Sequence, residues 1–434
     1  MADVRPFRGL RYPLDGLDLA AVLTPPYDVI SPDQQAEYYT RDPRNIIRLE
    51  LGRDEPGDDA LANRYTRAAA TFADWRLRGD LALDPTPSFY VYQQHFRVED
   101  HDYTRTSLVA RVRLEPWEAG VVLPHERTLA KPKDDRLKLL RACAANLSPI
   151  MALYDDPTGA ISKTLTRAAK ASPLVSCIDD AGEHHLLWTI TDATITAQLT
   201  AAFAEQQLFI ADGHHRYETA LTFRDEVRAL QRGLLPDEAA NFVMMALVAT
   251  SDPGLLVLPT HRLIRGINAA DLANLPAALS HYWSVDEITE TDAEALTKRL
   301  AGAGTPGTVA AIVATTDQRW LVRVSDAGKQ RLSATGEPAP WQALDVAAAQ
   351  ELILGGALGI DREAIATGDH VSYVRDAAQA LAALTTGTAQ IAILLNPTQP
   401  AQVRDVASVG GRMPQKSTYF YPKLITGLVI NPVW

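Results

Sequence analysis

Runs of apolar residues along the chain predict a series of β-strands interrupted by helices. The stretch Ser88 to His95 is aromatic and β-branched and follows two prolines, which is typical of a strand. Short apolar runs bounded by turn residues predict further strands at 106–114, 148–154, 184–190, 207–211, 242–248, 255–258, 309–314, 320–324 and 389–395. Apolar residues at helical spacing predict helices at 135–145 and directly after Gly213. The pattern therefore indicates a mixed α/β (α+β) fold.

The composition and the apolar pattern of the chain change near residue 265. Beyond this point, Ala- and Leu-rich helices alternate with strands, which indicates a second, smaller α/β lobe. A chain of 434 residues fits two or three domains of roughly 150 residues each. We therefore predict a first lobe over 1–265, a second over 266–400, and a tail over 401–434. We expect the tail to return to the first lobe or to the cleft, because a plain linker would not need so many lysines and tyrosines.

Composition and charge narrow the classes of function. Hydrophobic residues make up 47% and charged residues 22%, which is enough apolar material for a sizeable core. The net charge is -11 and the basic residues are scattered among acids, whereas nucleic-acid binding calls for a basic stripe. We find no apolar run long enough for a bilayer, no signal-peptide pattern, and only two cysteines. These features predict a cytoplasmic protein whose partners are small molecules rather than membranes or nucleic acids, and they leave a homo-oligomer open.

The largest group of neighbouring candidate functional residues lies in a predicted strand–turn–helix near the centre of the chain. An apolar strand leads to Gly213, which permits a tight turn and close approach of the backbone to a ligand. The N–H groups and the positive dipole end of the following helix favour anions. Arg216 can grip a phosphate with two hydrogen bonds, and His214 and His215 can donate or carry protons. The alternative is a plain helix start with Asp212 as its cap, but one turn carries more polar groups than a cap needs.

A second polar cluster, PHERT at 124–128, precedes a predicted helix. His125 and Glu126 could act as a general base or as metal ligands. The spacing is not that of the HExxH zinc helix, because residue 129 is leucine. The alternative is a charged, solvated loop.

A third stretch places two prolines before Tyr27 and Asp28. The prolines stiffen a turn that presents both side chains. The alternative is a turn with a structural role only.

A fourth stretch, MPQKSTYFYPK, lies near the C-terminal end and imitates a P-loop in part. Gly410 lies six residues before Lys416, but Gln415 stands where the second glycine is required. An aromatic strand is predicted to follow instead of a helix. The stretch is therefore not a P-loop, although Lys416 is a candidate anion contact.

Taken together, six motifs resemble the DUF1015 family, a family of unknown function, from end to end of the chain. The motifs are RPFRGL (5–10), TPPYDVIS (24–31), PHERT (124–128), ADGHHRYETA (211–220), PTHR (259–262) and MPQKSTYFYPK (413–423). The DGHHR element is similar to the phosphate-binding motif of the ParB/sulfiredoxin superfamily. There, such motifs serve nucleotide binding in ParB, phosphoryl transfer in sulfiredoxin and serine phosphorylation in free-serine kinases.

The resemblance implies a ParB/sulfiredoxin-like first lobe with 212–216 as its phosphate loop. His214 and His215 replace the sulfiredoxin cysteine, which argues against sulfinic-acid repair. No helix-turn-helix pattern is evident, which weakens a literal partition-protein function. Relatives often lie beside serine-biosynthesis genes, so the resemblance also implies serine or phosphoserine as a substrate.

We therefore predict a phosphoryl-transfer enzyme of kinase or phosphatase type that binds a nucleotide or a small phosphate ester and acts on free serine or phosphoserine. The backbone of 213–215 and the Arg216 side chain would cradle the phosphate. Arg127 and Lys416 would reach outer phosphate oxygens.

The catalytic set is predicted to comprise His125, Glu126, Asp212 and His214. Glu126 or Asp212 would be the base or the ligand of Mg²⁺, which would enter with ATP or ADP. We expect His125 and Glu126, the phosphate loop and Lys416 to line one cleft. Two alternatives are a non-catalytic nucleotide-binding regulatory protein and a metal-dependent hydrolase that uses His125, Glu126, Asp212 and His214.

Overall fold

A computed structural model describes residues 1–14, 16–128, 130–303 and 309–434. Helices account for 38% and strands for 25% of the residues, which confirms the mixed α/β class. The chain divides into two compact units, each built from separate segments. Unit 1 comprises 1–124, 128–256 and 422–434, and unit 2 comprises 125–127 and 257–421. The three-part division at 265 and 400 stays a prediction.

The strands and helices of the described residues have the following bounds. The strands are β1 Val4–Arg5, β2 Leu10–Arg11, β3 Ala82–Leu83, β4 Phe89–Val98, β5 His101–Arg113, β6 Val122–Leu123, β7 Ala145–Asn146, β8 Ile150–Tyr154, β9 Val175–Ile178, β10 His184–Ile190, β11 Leu208–Asp212, β12 Phe242–Ala249, β13 Leu256–Leu258, β14 His261–Ile264, β15 Trp283–Glu287, β16 Ala310–Ala314, β17 Arg319–Val324, β18 Val371–Val374, β19 Ile391–Leu394, β20 Tyr419–Tyr421 and β21 Asn431–Pro432. The α-helices are α1 Leu19–Val22, α2 Pro32–Arg41, α3 Ile47–Glu50, α4 Arg64–Arg78, α5 Ala130–Cys143, α6 Ala160–Ala168, α7 Ala193–Phe203, α8 His214–Leu230, α9 Ala269–Ala273, α10 Leu275–Leu279, α11 Ala293–Ala303, α12 Asp326–Ser333, α13 Ala339–Gln342, α14 Asp345–Ala348, α15 Arg362–Thr367, α16 Ala377–Thr385 and α17 Pro400–Ser408. A π-helix spans Ala349–Ala357, and 3₁₀ turns lie at Tyr27–Val29, Trp117–Ala119 and Ala239–Asn241.

Unit 1 is organised around one large sheet with the strand order β6-β11-β8-β12-β5-β4-β10-β9, and β1 pairs with β5. Every residue of β12 is buried, because this strand lies in the interior of the sheet and is apolar along its length. Helix α8 contacts β8, β12 and α5, and it buries Tyr217 and Ala220 in the same core as β12. The packing of α8 against the sheet fixes the position of its first turn.

The strand–turn–helix predicted from the sequence is confirmed. Strand β11 ends at Asp212, Gly213 makes the turn, and α8 begins at His214. A bulge lies between Ile210 and Asp212 where β11 pairs with β8. The end of the strand is therefore re-aimed just before the turn.

The C-terminal segment 422–434 belongs to unit 1 through backbone pairing. Strand β21 pairs with β7, and Ile430 pairs with Leu10. Thr426 pairs with Thr24, next to the two prolines of the TPPYD stretch. These pairings bring the end of the chain to the motifs of its first half.

Unit 2 contains an antiparallel sheet with the strand order β15-β17-β16-β19-β14-β18. Its core includes Leu296 and Leu300 from α11, Ala380 from α16, and Ile312 from β16. Alanine-rich helices that pack on strands therefore make up this core, as the sequence pattern beyond residue 265 indicates. No helix in the described parts of either unit is long and apolar enough to cross a membrane.

Candidate functional site

The turn between β11 and α8 adopts a left-handed conformation that glycine favours. Gly213 has φ 97° and ψ 28°. This dihedral angle selects glycine, and a Cβ atom at this position would lie 2.9 Å from Nε of Arg216 and displace that side chain. Helix α8 has 17 residues, and glycine has no side chain with which to cap it. A helix start of this kind favours a bound anion.

The carboxylate of Asp212 lies between two cations. Nη2 of Arg216 donates to Oδ2 at 2.7 Å, and Nζ of Lys423 donates to Oδ1. The three side chains are largely buried, with Arg216 and Lys423 each 13% and Asp212 21% exposed. Two positive charges and one negative charge therefore meet at the positive end of α8.

The same contacts set the protonation state of Asp212. Burial alone would raise its pKa, but the positive charges of Lys423 and Arg216 outweigh burial and hold the pKa well below the ordinary value. A carboxylate in this state stays ionised at neutral pH and is a weak proton acceptor. Asp212 therefore serves to hold the two cations in place.

Arg216 extends the ion pair into a buried polar chain. Its Nη1 donates to Oγ of Ser148 at 3.1 Å and to the carbonyl of Pro149 at 2.6 Å. Ser148 in turn donates to Oε1 of Glu50 at 3.1 Å, and Glu50 also accepts from Nη1 of Arg136 at 3.3 Å. The chain borders a cavity of about 40 Å³, large enough for one water molecule.

The TPPYD stretch joins this chain through an aromatic contact. The guanidinium of Arg136 lies 3.9 Å from the ring centre of Tyr27. Burial raises the pKa of Tyr27 to about 12, although Arg136 and Arg216 act in the opposite direction. Tyr27 is therefore a neutral phenol at physiological pH, and the neighbouring Asp28 is exposed.

The position of Lys423 is fixed by contacts to its own backbone. Nη2 of Arg105 donates to the carbonyl of Pro422 at 2.6 Å, and Nε2 of Gln94 donates to the carbonyl of Lys423 at 3.0 Å. Arg105 and Gln94 are buried, and burial lowers the pKa of Arg105 to about 10. Lys416 is the lysine of the MPQKSTYFYPK stretch that the sequence predicts as an anion contact, whereas Lys423 is the one that lies at Asp212. A second lysine in the same motif was the available signal.

In unit 2, the PHERT residues pair with this stretch. His125 is buried, its carbonyl accepts from the N–H of Met413 at 2.6 Å, and its Nε2 shares a hydrogen bond of 3.1 Å with Oγ1 of Thr418. Oε1 of Glu126 accepts from the N–H of Lys416 at 3.1 Å. Lys416 has φ 57°, a left-handed conformation that this hydrogen bond stabilises.

A cavity of about 200 Å³ lies in unit 2 beside these residues. Three arginines line it: Arg127, Arg362 and Arg412. Arg362 is paired with Glu351 at 2.7 Å. Arg127 is exposed, and its predicted contact with an outer phosphate oxygen stays a prediction.

A family model described as "Protein of unknown function (DUF1015)" matches residues 4–347. The chain belongs to this family. Membership of the family, predicted from the motifs, is thereby confirmed, and five of the six motifs lie within the matched residues. The MPQKSTYFYPK motif at 413–423 lies outside them, and the ParB/sulfiredoxin-like character of the DGHHR element stays a prediction. No curated protein matches the chain.

Several solved structures are similar to this DUF1015 protein at low scores. A conserved hypothetical protein from Pyrococcus furiosus is 11% identical, with 73% of this chain and 92% of that chain covered and a TM-score of 0.34. A free serine kinase mutant in complex with ADP is 10% identical, with 74% and 92% covered and a TM-score of 0.36. A C-terminally truncated SbnI from Staphylococcus aureus is 10% identical, with 73% and 85% covered and a TM-score of 0.36. Likeness at this level carries neither a ligand nor a reaction over to this chain.

The predicted site residues of this DUF1015 protein fall into two groups. The phosphate loop lies in unit 1, where His214 is buried and His215 is half-buried. His125, Glu126, Arg127 and Lys416 lie in unit 2. Asp212 and Arg216 contact each other in the first group, and Glu126 contacts the backbone of Lys416 in the second. Their convergence on one cleft stays a prediction.

Replacing Asp212 with asparagine tests the central ion pair. Asp212→Asn leaves Arg216 and Lys423 buried without their anion, so we expect the free energy of unfolding at pH 7 to fall by about 3–5 kcal/mol. A depressed folded-state pKa gives stability that is present above the unfolded pKa of about 3.9 and is lost as the pH falls. The difference in the free energy of unfolding between wild type and variant should therefore become smaller below about pH 4. Urea denaturation from pH 7 to pH 3 measures this gap.

The matched control is Asp74→Asn, which removes an exposed helical pair with Arg78. This change should cost no more than about 0.5 kcal/mol. A gap for Asp212→Asn that stays constant from pH 7 to pH 3 would contradict the assigned ionisation.

Proposed function

We propose that this DUF1015 protein is a phosphoryl-transfer enzyme that binds a nucleotide or a small phosphate ester at the Gly213 turn, with free serine or phosphoserine as the favoured substrate. The observation that carries the proposal is the cluster of Lys423, Asp212 and Arg216 at the start of α8. The cluster has a net positive charge, and it lies at the positive end of a helix dipole. An anion bound there would meet charges of the right sign from both sources.

The contacts of each cation suggest its role. Three of the five N–H groups of Arg216 donate to Ser148, Pro149 and Asp212, so we assign Arg216 the role of holding Asp212 and of adding positive charge. The Lys423 ammonium is a compact positive charge that is held at Asp212, beside the start of α8. Direct contacts to the phosphate are therefore assigned to Lys423 and to the backbone of the turn.

Phosphoryl transfer depends mainly on positioning and on neutralising charge. The buried cluster supplies both, because its members are held by several hydrogen bonds. The depressed pKa of Asp212 makes it a poor base, so Glu126 stays our candidate for the base. Both oxygens of Asp212 contact cations, so this carboxylate does not fit Mg²⁺. Any Mg²⁺ would enter already bound to nucleotide phosphates.

Removing the lysine charge tests the phosphate contact. Lys423→Met should weaken binding of ATP, ADP and phosphoserine by roughly 10- to 100-fold, the worth of one charge-assisted hydrogen bond. Isothermal titration calorimetry gives the affinities. Lys170→Met removes an exposed lysine from the same unit and should leave all three affinities unchanged. Equal affinities in wild type and a well-folded Lys423→Met would place the phosphate elsewhere.

Adding a methyl group to the turn tests the backbone contact. Gly213→Ala places a Cβ against Arg216 in a left-handed turn, so it should abolish measurable nucleotide binding. Gly159 is the matched control, because it begins α6 with φ 67° and its nearest neighbour for a Cβ is Lys163 at 3.7 Å. Gly159→Ala carries the same strain from a positive φ without the close contact, so it should cost less stability than Gly213→Ala and keep the binding. If both variants bind equally well, the turn does not touch the ligand.

The role of Glu126 is tested by a change that keeps its shape. Glu126→Gln retains an oxygen that can accept from the N–H of Lys416 but removes the basic carboxylate. We expect turnover with ATP and serine to fall by about 100- to 10,000-fold while nucleotide affinity stays constant. The exposed Glu363→Gln in unit 2 is the control. If the wild type binds nucleotide but forms no product with serine or phosphoserine, the protein is instead a nucleotide-binding regulator.

A further inference from the structure

The hairpin that joins β9 to β10 carries three metal-binding types of side chain that the proposed phosphate site does not use. Asp179, Glu183 and His185 each offer one ligand atom, and these atoms lie within 4.8 Å of one another. His185 and Glu183 are buried, and Asp179 is half-buried. No member belongs to the motifs noted in the sequence, and the hairpin lies at the edge of the large sheet of unit 1.

The turn itself orients the first carboxylate. Oδ1 of Asp179 accepts from the N–H groups of Ala181 and Glu183, both at 2.9 Å. Gly182 completes the turn with φ 79°. With Oδ1 engaged in this way, Oδ2 points toward His185 and lies 3.2 Å from its Nε2. The backbone of the hairpin thus holds one ligand oxygen in place.

The imidazole of His185 is oriented from its other side. Its Nδ1 lies 2.7 Å from the hydroxyl of the buried Tyr92. Its Nε2 is buried and makes no well-aligned hydrogen bond, although Oδ2 of Asp179 is close. A buried polar nitrogen in this state is costly unless something else satisfies it.

The distance between Nε2 of His185 and Oδ2 of Asp179 suggests that a metal ion could bind both atoms. Two ligands that are each about 2.0–2.1 Å from a tetrahedral zinc ion stand roughly 3.3 Å apart. The distance of 3.2 Å between Nε2 of His185 and Oδ2 of Asp179 is compatible with this edge, and it also lies within the range of a direct hydrogen bond. The contact of Tyr92 with Nδ1 is the kind of outer hydrogen bond that orients metal-bound histidines.

A cavity of about 310 Å³ adjoins the cluster, and Asp179 forms part of its wall. Cys177 also lines the cavity and stands directly opposite His185 in the β9–β10 ladder. The hydroxyl of Thr24, on another part of the wall, is buried without a hydrogen-bond partner. The cavity gives room for a water molecule or a polar ligand group beside an ion.

We propose that Asp179, Glu183 and His185 bind a divalent transition-metal ion, with Zn²⁺ favoured and an open coordination position toward the cavity. Imidazole and carboxylate together suit zinc, whereas Mg²⁺ and Ca²⁺ prefer oxygen ligands alone. Two carboxylates give the cluster the negative charge that a cation requires. The competing explanation is a chain of hydrogen bonds from Asp179 through His185 to Tyr92 with a structural role only.

Metal binding to the full chain decides between the two. After dialysis against a chelator, we expect the protein to bind one equivalent of Zn²⁺ in calorimetry and to give visible absorption bands with Co²⁺. His185→Gln and Asp179→Asn should each weaken Zn²⁺ binding by more than about 100-fold, and Tyr92→Phe by about 10- to 100-fold. Asn at 179 keeps an oxygen for the turn, so the hairpin should stay folded, as circular dichroism can verify.

His184→Gln is the matched control. His184 precedes His185 on the same strand, so it projects to the opposite face, where its Nε2 lies 2.8 Å from Oγ of Ser176. Zn²⁺ affinity should be unchanged in this variant, and Mg²⁺ should show no saturable binding to the wild type. Absence of Zn²⁺ and Co²⁺ binding, or equal Zn²⁺ affinity in His185→Gln, would overturn the proposal in favour of the structural chain. Asp179→Asn should leave the affinities for ATP, ADP and phosphoserine unchanged, and Lys423→Met should leave the Zn²⁺ affinity unchanged. The metal site and the proposed function can therefore be contradicted independently of each other.

Discussion

A carboxylate that is mostly buried needs its charge balanced, and the rest of the unit 1 site depends on how Asp212 meets this need. Arg216 comes from the first turn of α8, and Lys423 comes from the C-terminal segment. Arg216 then leads through Ser148 to the buried Glu50. One ionised group therefore links the glycine turn, the C-terminal segment and a buried polar chain that reaches α3.

The two sites inferred in unit 1 carry opposite charge and have a common neighbour. The cluster around Asp212 has an excess of positive charge, whereas the hairpin cluster is acidic. The negative charges of Asp212 and Glu183 both act to raise the pKa of Arg105, against the larger effect of burial. Arg105 also donates a hydrogen bond to the carbonyl of Pro422. The segment that begins there places Lys423 at Asp212 and Ile425 at the wall of the hairpin cavity. A single short segment thus contributes to both places.

Local patterns in the sequence were enough for the strand–turn–helix, because its glycine and apolar spacing act over a few residues. The partner of Asp212 was not predictable in this way, since Lys423 lies 211 residues away and no periodicity connects the two. The choice of Lys416 over Lys423 followed a superficial P-loop spacing. The hairpin cluster was not predicted from the sequence, because Asp179, Glu183 and His185 match none of the ligand motifs considered. The pairing of β9 with β10 brings these residues together. The helix predicted at 135–145 starts five residues after the observed start and ends two residues after the observed end of Ala130–Cys143.

The return of 422–434 to unit 1 also sets an order of events during protein synthesis. These residues leave the ribosome after all of unit 2, yet they complete the pairing of Leu10, Thr24 and β7. Until they arrive, Arg105 lacks the carbonyl of Pro422 and Asp212 lacks Lys423. Domains generally fold as units as they emerge, but unit 1 is complete only once this segment has been synthesised. In a chain that stops before residue 422, Asp212 would therefore have the guanidinium of Arg216 beside it but not the ammonium of Lys423.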